Sequence, residues 1–322
     1  MTLTDVLLGA IRLGMPAIRR LARRRLPRGF SIVEFLVLIG VVALLGSIFI
    51  PYLAKTREME RRTICARNLA NFAIILREYA KQNNFLLPSV NYDAANRPNG
   101  YTAFTGPDDL DPFAKGSKVA ANDVTASLFL LMRYGYISNG REIGLSLYIC
   151  PSSGDVSDRL TDAAGRPVTA MQRSNLRSPS NLSYGYCSPF SSAAKFHMNT
   201  DWLDPTFAVM ADKGPGISGA ENDVTAPAFN APPLEIVKAN SNNHDKAGQN
   251  VLYGDGHVSF KRTPYCGYPD TSTQADNIYT ASAPGPTTLP PAMIPEKGYF
   301  GRKYAPSNWE DSFIVPSEHD RD

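Results

Sequence analysis

The feature that most constrains this chain is the segment from Phe35 to Leu53, which contains no charged residue. A predominantly apolar stretch of about 20 residues is long enough to cross the hydrocarbon core of a bilayer as one helix. Glu34 stands directly before this segment. A carboxylate at the edge of a membrane span is costly unless it is paired, so it marks a functional position. The sequence therefore predicts one membrane-spanning helix and an acidic residue that needs a partner.

Positive charge is concentrated before this segment. Residues 1–29 contain seven arginines and a single acid, Asp5, and so carry +6, whereas the whole chain carries +3 and the remainder therefore −3. Because basic residues flank the cytoplasmic end of a span, we expect residues 1–29 in the cytoplasm and the body outside. The body is not basic, so its charge indicates no nucleic-acid partner.

The N-terminal helix is predicted to continue beyond the membrane. Apolar side chains recur with the 3/4 spacing of an amphipathic helix at Leu69, Phe72, Leu76 and Tyr79. One helix from about Phe30 to about Gln82 would be roughly 80 Å long. Residues 55–62 are predicted to be its solvated stretch. Pro51 removes one backbone hydrogen bond and is expected to kink the helix or let it melt locally.

Beyond the helix, the pattern changes from loops to strands. Residues 89–125 and 152–180 are predicted to be loops, with a short helix at Thr125–Tyr136 and a strand at Leu145–Cys150 between them. Further strands are predicted at Ser183–Cys187, Thr206–Asp212, Gln249–Gly254 and Val258–Phe260. Asp255-Gly256 separates the last two strands and predicts a hairpin.

These elements predict a protein of the α+β class. A long N-terminal helix, transmembrane and then amphipathic, should pack on a small, mainly antiparallel β-sheet. The predicted segments are a leader (1–29), the transmembrane half of the helix (30–53), its amphipathic continuation (54–82), a globular α+β domain (83–270) and a Pro-rich, partly irregular tail (271–322). The leader is long, and either Met1 or Met15 can be the start of translation.

The string Gly29-Phe30-Ser31-Ile32-Val33-Glu34 resembles the processing site of type IV prepilins and type II secretion pseudopilins. In that family a prepilin peptidase cleaves after the glycine and methylates the new N-terminal amine. The resemblance implies cleavage between Gly29 and Phe30, methylation of Phe30, and a role for Glu34 in assembly, with Pro51 as a structural residue near the end of the span. The alternative interpretation is an ordinary single-span anchor.

The resemblance implies a structural subunit of a type II secretion or type IV pilus-like filament, not an enzyme. Its implied partners are prepilin peptidase, other copies or related pilin-like subunits, the bacterial inner membrane, and the secretion or pilus assembly machinery. It implies a single-pass protein with a pilin-like fold. Two other functions are open: a minor pilin or surface-anchored adhesin that uses its large body, and an exported metal-dependent enzyme.

A second resemblance concerns the segment from Asn240 to Val258. Its His244 and Asp255-Gly256 are similar to the His…Asp-Gly motif of large prepilin-like proteins of planctomycete-type bacteria, although ten residues separate them here, one more than usual. His244, Asp245, Asp255 and His257 are candidate ligands for zinc or a similar metal. The simpler interpretation is that His244 lies in a loop and that Asp255-Gly256 is a hairpin turn.

Calcium is a further candidate, because some secretion pseudopilins hold calcium in a C-terminal loop. Its oxygen ligands would come from Asp245, Asp255 and nearby carbonyls, although the chain has no EF-hand spacing. No other cofactor is predicted.

The cysteines are Cys65, Cys150, Cys187 and Cys266. None is part of a CxxC pair, which argues against a zinc site. If the body is exported, one or two disulfides can form, with three connectivities for a full set. Buried thiols that pack as small apolar side chains are the alternative.

Overall fold

The structure is a computed structural model that describes residues 31–92, 104–137, 142–162, 164–190, 198–201, 203–215, 227, 230–269, 275–280, 311–312 and 314–315. The predicted cleavage site at Gly29 and Phe30 lies outside these ranges. The chain divides into two compact units, residues 1–53 and 54–322.

Helix α1, Ile32–Gln82, ends at the residue that the sequence predicts, while its predicted start at about Phe30 lies outside the described residues. By length and composition it is able to cross a membrane, and the side chains of its apolar segment are not buried within the chain. Pro51 lies in the interior of α1, with helical residues on both sides. The predicted local melting at Pro51 is therefore not found, and the single lost hydrogen bond leaves the helix intact.

Beyond Leu53, α1 presents one apolar stripe to the body. Leu69 and Phe72 are fully buried, and Leu76 and Tyr79 nearly so, as the 3/4 spacing predicts. The ring of Phe72 meets the rings of Tyr148 and Tyr184 edge to face, with centroids 5.2 and 6.2 Å apart. Such aromatic pairs add to the free energy gained by burial.

The short apolar helix is α2, Val124–Arg133, all of whose residues are buried. Asp123 caps its N-terminus by accepting a hydrogen bond from the backbone N–H of Ala126 at 2.8 Å. The helix ends at Arg133, three residues before the predicted end at Tyr136, and Gly135 beyond it takes the left-handed conformation that is common after a helix, with a φ of +80°.

The predicted strand at Leu145–Cys150 is wrong. Helix α3, Glu142–Ser146, ends inside that segment, and the chain then turns and continues without strand pairing to Cys150. A short apolar run does not by itself distinguish a strand from other buried structure. Here Tyr148 and Cys150 are buried through the aromatic contact and a disulfide, so no neighbouring strand is needed.

Five strands of the described residues form one antiparallel sheet: β1 (Tyr184–Cys187), β2 (Ala208–Asp212), β3 (Gln249–Tyr253), β4 (Val258–Lys261) and β7 (Ile314–Val315). Their order across the sheet is β4-β3-β2-β1-β7. The α+β class and the predicted antiparallel pairing are confirmed. Helix α4, Pro233–Lys238, and 3₁₀ turns at Ala170–Gln172, Pro179–Asn181 and Asn242–His244 complete the connections.

Parts of the predicted tail belong to the body. β5 (Tyr265–Pro269) pairs with β6 (Ala275–Asn277) in a second, two-stranded sheet. Strand β7 pairs with β1 at the edge of the main sheet. Gly185 in β1 permits this approach, because a Cβ atom there would lie 2.5 Å from Cγ2 of Ile314.

We expect Phe72→Ala to lower the free energy of unfolding by about 3–5 kcal/mol, because it removes a fully buried ring between two tyrosines. Chemical denaturation of the full chain in detergent, followed by near-ultraviolet circular dichroism, measures this change. The matched control is Ile74→Ala on the same helix, whose side chain is 69% exposed. An equal loss in both variants would contradict the assigned buried face.

Candidate functional site

His244 is the centre of a buried group of charged side chains. It ends the 3₁₀ turn Asn242–His244, and the next residue, Asp245, takes a left-handed conformation. The imidazole is fully buried, with Nδ1 2.7 Å from Oε1 of Glu58 and Nε2 3.1 Å from Oδ2 of Asp212. Each ring nitrogen therefore faces a carboxylate. His244 thus lies in the loop between α4 and β3, as the simpler interpretation expects, but its ring bonds the side chains of Glu58 and Asp212.

Glu58 comes from α1, within the stretch that the sequence predicts to be solvated. Its side chain is only 19% exposed. Besides His244, it accepts hydrogen bonds from the hydroxyl of Ser152 at 2.9 and 3.1 Å and lies 3.5 Å from Nε of Arg62. Glu58 precedes the buried Cys65 by seven residues, two turns of the same helix face. That spacing is the sequence signal that could have shown that Glu58 faces the body.

Asp212 is fully buried at the end of β2. Its Oδ2 accepts hydrogen bonds from the backbone N–H of Asn250 at 2.7 Å and from the Asn250 side-chain amide at 3.2 Å. Its Oδ1 accepts a longer one from the amide of Asn243 at 3.4 Å. Strand β3 thus fixes the carboxylate of its neighbour, and a sequence pattern of alternating burial does not reveal such a cross-strand contact.

The two carboxylates determine the charge of the histidine. Burial by itself lowers the pKa of His244, but hydrogen bonds and charge interactions with Asp212 and Glu58 outweigh burial and raise the pKa above its ordinary value. The favoured form is an imidazolium that donates one hydrogen bond to each carboxylate.

A disulfide lies against this histidine. Cys65 of α1 is bonded to Cys150, with a Cα–Cα distance of 5.2 Å. Sγ of Cys150 is 3.8 Å from Nε2 of His244. Of the pairings that the sequence leaves open, the structure contains this one, while Cys187 and Cys266 are buried thiols. Burial raises the pKa of Cys266 to about 12.

We call these side chains the histidine cluster and define it as Glu58, Cys65, Cys150, Asp212, His244 and Asn250. The disulfide joins α1 to the loop after α3, and the two ion pairs of His244 connect Glu58 of α1 with Asp212 of β2. Removing one partner of a buried ion pair leaves an uncompensated buried charge, and this lowers the free energy of unfolding by more than the intact pair contributes to it. The cluster therefore fixes the position of α1 relative to the five-stranded sheet.

The four predicted metal ligands do not come together in the described part of the chain. Asp245 is exposed in the turn after the 3₁₀ segment. Asp255 instead pairs with His257, whose Nδ1 is 2.6 Å from Oδ1 of Asp255. Of the four, His244 alone joins a group with metal-ligand spacing among the described residues, and its companions are Cys65, Cys150 and Asp212.

Asp255-Gly256 forms the β3–β4 turn, as predicted, with Gly256 at a φ of +89°. The imidazole of His257 stacks on the ring of Tyr253 with centroids 4.5 Å apart. The backbone N–H of His257 holds the pKa of the Asp255 carboxyl below its ordinary value. Arg77 of α1 donates to the carbonyl oxygen of Asp255. The Asp-Gly motif thus shapes a turn that touches the helix.

At the other end of α1, Glu34 lies in the first turn. Its Oε2 accepts a hydrogen bond from the backbone N–H of Ser31 at 2.9 Å. An acidic side chain in this position is stabilised by the helix dipole and by the unpaired amides of the first turn. Glu34 and its neighbours Ile32, Val33 and Phe35 are exposed in the single chain.

Comparisons with protein-family models, with curated proteins and with solved structures find no match to this chain.

We expect Glu58→Gln to lower the free energy of unfolding by about 1.5–3 kcal/mol, because it replaces a charged acceptor of the His244 imidazolium by a neutral amide. Thermal or chemical denaturation of the purified chain measures the loss. The control is Glu60→Gln, two residues further along the same helix and exposed, which should change stability by less than about 0.5 kcal/mol. Equal stability of the two variants would contradict the proposal that the cluster stabilises the contact between α1 and the sheet.

Proposed function

We propose that this protein is a pilin-like subunit that is processed by prepilin peptidase and assembled into a type II secretion or type IV pilus-like filament. The observation that carries the proposal is the adjacency of Gly29-Phe30, Glu34 and a long apolar helix near the N-terminus. A helix that serves only as a membrane anchor needs none of Gly29, Phe30 and Glu34.

The proposed sequence of events begins with the arginine-rich leader, which holds the N-terminus in the cytoplasm. The peptidase cuts between Gly29 and Phe30, and the new amine is methylated. The subunit is then held in the inner membrane by α1. During assembly the apolar surface of α1, exposed in the single chain, is covered by the helices of neighbouring subunits.

In the filament, the Glu34 carboxylate pairs with the N-terminal amine of Phe30 from a neighbouring subunit. The attraction is strong in a low-dielectric helix bundle, but the desolvation of both charges offsets much of it. Glu34 therefore sets the axial register of subunits more than it adds to filament stability. In the single chain its hydrogen-bond partner is the Ser31 amide, which leaves carboxylate lone pairs for a further donor.

The body is attached to the same helix. Beyond Leu53, α1 supplies Glu58 and Cys65 to the histidine cluster and Leu69, Phe72 and other side chains to the core. A subunit that is placed by its N-terminal helix needs its globular part fixed to that helix, and these contacts serve that need.

We expect Gly29→Asp to block processing, because a peptidase that accepts glycine before the scissile bond has no room for a charged side chain there. Immunoblotting in cells with the peptidase should show only the longer precursor, and mass spectrometry of wild-type protein should find an N-methylated Phe30. Gly40→Ala is the control, since a Cβ atom there meets nothing within 4 Å. Normal cleavage of the Gly29 variant would reject the assigned site.

We expect Glu34→Val to leave cleavage intact and to lower incorporation into filaments, because the neighbour's amine loses its partner. Sheared surface filaments or pulled-down assemblies, quantified against total mature subunit, measure incorporation. Glu60→Gln provides a control for loss of an exposed carboxylate on the same helix. Incorporation of the Glu34 variant at the wild-type level would contradict the pairing.

A minor pilin or surface-anchored adhesin is the second candidate. The size of the body, which extends from residue 54 to strand β7 at Ile314–Val315, favours it, because filament packing alone requires less. The copy number distinguishes the two candidates: a major subunit is abundant along the filament, whereas a tip or adhesive subunit is rare. Quantitative mass spectrometry of purified filaments measures this ratio.

A further inference from the structure

The histidine cluster contains four side chains of the types that bind zinc. They are Cys65, Cys150, His244 and Asp212, all buried, and one ligand atom of each lies within 4.8 Å of those of the others. Tetrahedral zinc with bonds of about 2.0–2.3 Å places neighbouring ligand atoms about 3.3–3.8 Å apart. Here Sγ of Cys150 is 3.8 Å from Nε2 of His244, and Nε2 is 3.1 Å from Oδ2 of Asp212.

The second observation concerns the groups around these side chains. A metal-binding histidine donates its other ring N–H to a carboxylate or carbonyl, which fixes the ring and its tautomer. Nδ1 of His244 has such a partner in Glu58 at 2.7 Å, so Nε2 is the nitrogen directed at the other three residues. Glu58 is held in turn by Ser152 at 2.9 Å.

The surroundings of Nε2 also favour a cation at this place. Nε2 faces the buried carboxylate of Asp212 at 3.1 Å, and the carboxylate of Glu58 lies on the other side of the ring. A metal ion would bind the lone pair of Nε2 and one oxygen of Asp212, while Asn250 donates to Asp212 as it does here at 3.2 Å.

We propose that reduction of the Cys65–Cys150 disulfide converts the histidine cluster into a zinc site. The four ligands are the two thiolates, Nε2 of His244 and Oδ2 of Asp212. The two cysteines are 85 residues apart in sequence, so the expectation of no zinc site, which rests on the lack of a CxxC pair, does not apply to this arrangement. Only the folded chain brings the ligands together.

The interconversion is a two-electron exchange. When the zinc form meets an oxidant of the disulfide class, the Cys65 and Cys150 thiolates form the S–S bond, and the oxidant takes up two electrons and two solvent protons to give two thiols. Zinc leaves as Zn²⁺, and Nε2 of His244 takes one proton from solvent to give the imidazolium form. Reduction by a thiol followed by zinc binding runs these steps in the opposite direction.

This site responds to the redox state of the compartment that holds the body. In an oxidising compartment the disulfide is the stable form, and in a reducing one the thiolates are available to metal. Both forms connect α1 with strand β2 and with the loop of His244, so this connection is present in the disulfide form and in the zinc form. The proposal concerns the body alone and does not depend on filament assembly.

The test is a metal titration of the full chain in detergent. The protein is reduced, freed of metal with a chelator and titrated with Co²⁺, then with Zn²⁺. We expect one equivalent of Co²⁺ to give a sulfur-to-cobalt charge-transfer band and the visible bands of a tetrahedral site. Zn²⁺ should then displace the cobalt and remove these bands. The oxidised protein should give none of them.

Three variants assign the ligands. Cys187→Ser, which changes a buried cysteine outside the cluster, should keep both bands. Cys65→Ser should abolish the charge-transfer intensity from that sulfur and prevent tight binding of Co²⁺. His244→Gln and Asp212→Asn should each weaken Co²⁺ binding roughly tenfold or more, a loss of about 1.4 kcal/mol per tenfold.

Each outcome decides the question. If the reduced wild-type chain binds no stoichiometric metal, or if both His244 and Asp212 variants bind as tightly as wild type, the proposal is wrong. Should reduction alone unfold the body, Zn²⁺ must restore its circular dichroism spectrum, and failure to do so rejects the site. If the His244 and Asp212 variants do not fold, zinc protection of the two thiols from alkylation in wild type decides instead.

Discussion

The body of this protein depends on one buried histidine held between two carboxylates. His244 contacts Glu58 from the long helix and Asp212 from the centre of the sheet, and the Cys65–Cys150 disulfide lies beside it. A buried charge is tolerated only where its partners and hydrogen bonds are complete. The helix, the loop after α3, strand β2 and strand β3 must therefore reach their places together for this centre to form.

This constraint connects to the proposed role in a filament. A pilin-like subunit is positioned by its N-terminal helix, while its external function belongs to the globular part. The aromatic contacts of Phe72 would hold these parts together by burial alone, which is not directional. The ion pairs and the disulfide add direction, because they fix the helix at Glu58 and Cys65 in rotation and in register.

The local elements could be predicted from the sequence because their signals are local. The amphipathic stripe of α1, the short apolar helix α2 and the turn at Asp255-Gly256 each depend on neighbouring residues. The segment Leu145–Cys150 was wrongly predicted as a strand, since its burial comes from a partner 85 residues away at Cys65. Strand β7 was missed for the same reason: its two residues gain order only from pairing with β1.

The sequence by itself determined the charge asymmetry, the apolar helix and the antiparallel sheet, because composition, periodicity and short spacings specify them. Only the tertiary structure decided the candidate site. Of the residues predicted as ligands, His244 alone belongs to it. Glu58 had its seven-residue spacing from Cys65 as a sequence signal, whereas Asp212 had none. The physical reason is that charge pairing is satisfied in space, between residues whose distance along the chain the sequence does not constrain.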